Sequence, residues 1–140
     1  NLSEPACLGG TDGSITVDCS GGTGTLAYQW SNAQNGNTVS NIPSGIYTVT
    51  VTDSSGCTAI RNITLNEPTA VGVDVSTTPA LCFGAASGTA SAQGLGGTSP
   101  YTYQWSGSSS STNFAGGLAA GAYTVTVTDS KGCTFSRGFN

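Results

Sequence analysis

The chain has 140 residues, of which only 7% are charged, and its seven acidic residues against three basic ones leave a net charge of −4. Arg61, Lys131 and Arg137 are too few for the basic surface that nucleic-acid binding requires, or for a polybasic membrane anchor, and no apolar run approaches the length of a membrane span. Hydrophobic residues reach 36%, enough to bury a core, so the composition points to a folded, chemically inert chain. The chain opens at Asn1 with neither an initiator Met nor a signal-peptide pattern, as expected of a mature segment or part of a longer protein.

Taken in order, the elements all read as β, with no helical period. Ser14 to Asp18 alternates with Ile15 and Val17 on one face. After the Gly21-Gly22 turn, Leu26 to Trp30 forms a strand with Tyr28 and Trp30 on the same side. Turn signals at Asn35-Gly36 and around Pro43 to Gly45 precede a long strand with Tyr47, Val49 and Val51 inward and Thr48, Thr50 and Thr52 outward. A further turn at Ser54 to Gly56 closes it. Val71 to Val75 alternates cleanly and is expected to open a second module.

That second module repeats the first. Tyr28 to Ser31 recurs as Tyr103 to Ser106, and Gly45 to Thr58 recurs as Gly121 to Thr134 with two differences in fourteen positions. Equivalent residues lie 75 apart early in the module and 76 apart late, so one residue separates the copies between Ser31 and Gly45. The expected architecture is all-β: two tandem Ig-like antiparallel β-sandwich modules, 1–64 and 71–140, joined by a linker at 65–70. Only six residues precede Cys7, so copy one has no counterpart of Val71 to Val75. Either the chain is a cut from a longer array, or a neighbouring chain supplies that strand.

Cysteine usage points to an oxidising, extracytoplasmic setting, because zinc ligation is disfavoured by the lack of histidine and of any CxxC. Repeat equivalence makes Cys7–Cys57 and Cys82–Cys133 the economical pairs, one disulfide per module, each closing a loop of some fifty residues. Cys19 has no counterpart, its place being taken by Gly94. It reads as a free thiol, an intermolecular bridge, or a reactive thiol without a histidine to activate it.

No catalytic constellation is visible: Ser-His-Asp and Cys-His arrangements are excluded, and the Asp12 and Asp18 carboxylates become Ser87 and Gln93 in copy two. The chain is therefore read as a non-enzyme without cofactor. Asp53 and Asp129 follow the long strand and suit turn caps. With Asp12 they are weak calcium candidates, since no acid-rich loop of calcium-binding spacing surrounds them. Trp30 and Trp105, with Tyr28, Tyr101 and Tyr103, suit either core positions or a sugar-stacking platform, and the alternation favours the core. Tyr47 and Tyr123 suit a corner hydrogen bond back to the chain.

These residues resemble the SprB repeat family of Bacteroidetes surface proteins, named for a large gliding-motility adhesin. The likeness rests on Cys7, Asp12-Gly13-Ser14, Gly21-Gly22, Tyr28, Trp30, the run from Gly45 to Cys57 and Glu67-Pro68-Thr69-Ala70. Copy two adds Cys82, Pro100 to Trp105 and Leu118 to Cys133. Ser87, Leu26-Ala27 and the extra Cys19 depart from the family pattern. The resemblance implies a secreted, extracellular cell-surface protein, exported by the type IX route, whose repeats act as spacer and contact surface. Its implied partners are neighbouring repeats or like subunits and surface polysaccharide, with no nucleic acid and no membrane insertion. Two other expectations compete: a self-assembling fibre subunit with strand donation between chains, and a carbohydrate-binding module of a secreted protein.

Overall fold

A computed structural model describes residues 1–82 and 84–140. The described residues form strands and turns without helix. The chain divides into two compact units, 1–68 and 69–140. The first holds β1 (Leu2–Ser3), β2 (Gly13–Thr16), β3 (Ala27–Trp30), β4 (Thr38–Ile42), β5 (Gly45–Thr52) and β6 (Thr58–Leu65). The second holds β7 (Gly72–Thr78), β8 (Gly88–Leu95), β9 (Thr102–Trp105), β10 (Phe114–Leu118), β11 (Tyr123–Thr128) and β12 (Thr134–Phe139).

Each unit builds two three-stranded antiparallel sheets with the same plan. In the first the orders are β1-β2-β4 and β3-β5-β6; in the second they are β7-β8-β10 and β9-β11-β12. The long strand is central in its sheet. Within unit one, Trp30 lies opposite Val49 and Tyr28 opposite Val51, so the apolar faces of β3 and β5 coincide. Direct cross-strand partners share a face, and this register therefore sets one wall of the core. Ile15, Val39 and Ile42 from the other sheet pack onto Trp30, Tyr47, Val49, Val51 and Leu65, which makes the unit a sandwich. In unit two Ala90, Ala92, Ala115 and Leu118 from one sheet and Trp105, Val125 and Val127 from the other are buried in the same way.

Leu65 is the last residue of β6 and is 1% exposed, so it belongs to the core of unit one rather than to a linker. β6 pairs with β5 along its whole length, from Gly45 opposite Leu65 to Thr52 opposite Thr58. It lies on the sheet edge, and its side chains are exposed except near Ile63 and Leu65.

Candidate functional site

The most repeated polar feature is a carboxylate knot at one end of each unit. Asp53 follows β5. Its Oδ1 accepts the amides of Ser55 and Cys57, both at 2.9 Å, and its Oδ2 accepts the amide of Thr23 at 2.9 Å. Asp129 does the same: Oδ1 takes the amides of Lys131 and Cys133, and Oδ2 takes that of Thr98, all at 2.9 Å. The carboxylate thus caps its own turn and ties it to the loop after the double glycine. The glycines are needed there: Gly97 has φ +57°, and a Cβ on it would lie 2.6 Å from Asp129 Oδ2 and from Val71 Cγ2.

These bonds hold the charged form. The Thr23 amide, with those of Cys57, Ser55 and Gly56, keeps the Asp53 carboxyl below its ordinary range against the opposing effect of burial. For Asp129 burial is the largest influence and pushes the carboxyl up, but the amides of Thr98, Cys133, Lys131 and Gly132 together outweigh it and leave it lowered.

Of the three weak calcium candidates, the structure does not bring Asp12 and Asp53 together. Asp12 Oδ1 accepts the Ala6 amide at 3.0 Å in the loop before β2. That loop sits beside the end of β6, where the Gly9 amide donates to Glu67 Oε1 at 3.0 Å. Asp53 sits beside the start of β6, its amide bonded to the Cys57 carbonyl. Among the described residues no three metal-capable side chains gather.

The same geometry corrects the disulfide expectation. Cys57 and Cys82 are free and exposed, as is Cys19. The pairs Cys7–Cys57 and Cys82–Cys133 are not formed. Cys7 belongs to the loop at the far end of β6 and Cys57 immediately precedes its first residue. At about 3.3 Å per residue that strand separates them by roughly 25 Å, far beyond the ~7 Å Cα separation a disulfide tolerates. In unit two, Cys82 likewise lines a cavity with Tyr123, Phe139 and Asn140 at the end of β12, while Cys133 precedes its start.

Cys19 shares a cavity of about 260 Å³ with Leu26 and Cys57. The equivalent Gly94 has no room for a side chain, since a Cβ would lie 2.7 Å from the Tyr101 ring. Leu26 stands where Tyr101 stands, so two departures from the family pattern compensate each other sterically. Burial pushes the Tyr28 phenol up, and the adjacent Cys19 thiol, through its charge and a hydrogen bond, and Asp18 add to the effect.

The aromatics serve the scaffold. Trp30 and Trp105 are 2% and 4% exposed. Their indole N–H groups donate to Gly36 O and Thr112 O, each at 2.8 Å. Tyr47 is buried and donates to Pro43 O at 2.8 Å; Tyr123 is half-buried and donates to Ala119 O at 3.1 Å. The exposed large apolar side chains are of another kind, chiefly Leu81, Ile46 and Ile60.

The family model of the SprB repeat matches residues 1–35 and 75–110, just over half of the chain and the start of each unit. The chain belongs to the SprB repeat family. SprB repeats are associated with cell-surface adhesins. No curated protein matches the chain. No helix among the described residues is long and apolar enough to cross a membrane.

Proposed function

We propose that this chain is a structural and adhesive segment of a secreted cell-surface adhesin, without enzymatic activity, working as a spacer and as a surface for many weak contacts. The supporting observation is the use made of the repeated motifs. Gly-Gly, Tyr-x-Trp, Gly-x-Tyr and Asp-Ser-x-Gly-Cys occur in both units, and each is engaged in holding a loop, a corner or the core. A sequence that repeats its scaffold and not a reactive cluster gains function by multiplication, since linked weak sites bind by avidity. The partners on this reading are neighbouring repeats and surface polysaccharide.

Beads bearing arrays of one, two and four copies of the chain test it. Attachment to a polysaccharide-coated surface is expected to rise more steeply than copy number, with soluble single copies competing poorly. A single copy that binds one glycan at about 1 µM or tighter would instead favour a carbohydrate-binding module. Burial of both tryptophans weighs against that alternative.

A further inference from the structure

The two units differ at one edge. In unit two, β7 pairs with β8 over seven residues, from Gly72 opposite Leu95 to Thr78 opposite Thr89. In unit one, β1 pairs with β2 only at Leu2 opposite Ile15 and Ser3 opposite Ser14. Asn1 extends the ladder by one step, exchanging both backbone bonds with Thr16 at 2.8 and 2.9 Å. By the repeat offset, Ala92, Gln93 and Gly94, which β7 covers with Val75, Asp74 and Val73, correspond to Val17, Asp18 and Cys19. No strand of the described residues pairs with those three on that side.

Beside Val17 and Cys19, whose equivalents Ala92 and Gly94 face Val75 and Val73 in unit two, unit one has a groove of about 510 Å³ lined also by Val49, Val51, Ala59 and Ile63. Arg61 also lines it. Its equivalent in unit two, Arg137, donates to Val73 O at 3.0 Å and pairs with Asp74 Oδ1 at 3.4 Å, both on β7. Arg61 has no such partner among the described residues. The repeat therefore contains its own example of the filled site: two apolar side chains inward, and one carbonyl and one acid on the arginine.

We propose that this groove is a strand-binding site for the linker strand of a like repeat. The occupant is an extended segment of the Val71-Gly72-Val73-Asp74-Val75 kind, lying antiparallel to β2 and in line ahead of Asn1. Main-chain bonds to β2 supply affinity, and the valine alternation with the acid opposite Arg61 supplies specificity. Because exchanging pairs alternate along an antiparallel ladder, the next outward amide after Thr16 is that of Asp18. Its equivalent, Gln93, faces Asp74 in unit two. The inference deepens the repeat reading above by naming the contact between neighbours.

The test grafts Thr-Ala-Val-Gly-Val-Asp-Val, the sequence of residues 69–75, directly ahead of Asn1 in the full chain, with a scrambled graft as control. Hydrogen exchange of the Asp18 amide is expected to slow about tenfold or more with the true graft, and to slow less when Arg61→Ala or an Asp→Asn change in the graft is added. Equal exchange with true and scrambled grafts overturns the proposal. So does unchanged protection with Arg61→Ala, as regards the arginine contact. The free heptapeptide is expected to bind only weakly; binding at about 1 µM or tighter would overturn in-line delivery and indicate exchange between separate chains. Bead attachment is read separately, so its failure with Asp18 still protected sinks the adhesive reading alone.

Discussion

Asp53 and Asp129 each commit a carboxylate to three backbone amides, so their charge serves the fold. Both are lowered from their ordinary values. A carboxyl lowered in the folded state contributes stability that is complete above its unfolded value, near pH 4, and is lost as the pH falls through the folded one. Thermal unfolding is therefore expected to be flat from neutrality to about pH 5 and to drop below about pH 4. In the double variant Asp53→Asn, Asp129→Asn, the melting temperature should be lower at pH 7 and its fall in acid shallower. A fall as steep as in the native protein would show that other carboxyls carry it. Ile15 is fully buried, and Ile15→Ala is expected to cost about 2–5 kcal/mol in denaturant unfolding of unit one. The steric exchange between Cys19 with Leu26 and Gly94 with Tyr101 makes a coupled prediction. Gly94→Ala should destabilise unit two by about 1–3 kcal/mol, and Tyr101→Leu in the same chain should restore much of that loss; additive effects would refute the coupling.

Among the elements, β3, β5, β9 and β11 were legible in the sequence because one face is buried and the other wet, which prints a period of two on the residues. Val71 to Val75 showed itself for the same reason. β6 and β12 carried no such mark. They are edge strands with both faces largely exposed, so Thr58 to Leu65 reads Thr-Ala-Ile-Arg-Asn-Ile-Thr-Leu without alternation. Their absence from the sequence reading is what misplaced the disulfides: without β6, Cys57 looks near the start of its module, and with it Cys57 lies a full strand away. The knot was half legible, since Asp-Ser-x-Gly-Cys announces a turn, whereas the third amide comes from Thr23 or Thr98, 30 and 31 residues earlier, which no local pattern reveals. The cysteine states can be checked directly. Alkylation of the native protein without reductant should label Cys19, Cys57 and Cys82. Protection of Cys57 in the native protein would contradict the arrangement.

At the scale of the molecule, the repeat was the strongest message of the sequence, and both units carry it out strand for strand. One difference between them lies at the first strand. β7 fills an edge that β1 covers for only two residues, and that difference appears only when the pairing registers are compared. The scarcity of charge has a consequence beyond its effect on partners. Trypsin-type proteases cut after lysine and arginine, and the chain offers them three sites. Arg61 lies within β6 and Arg137 within β12, where the backbone is held in a ladder, leaving Lys131 in its exposed turn as the accessible bond. Limited digestion should nick the folded chain after Lys131 and nowhere else. A surface protein built from such repeats would outlast its neighbours in a protease-rich medium, with durability written into the rarity of a single kind of side chain.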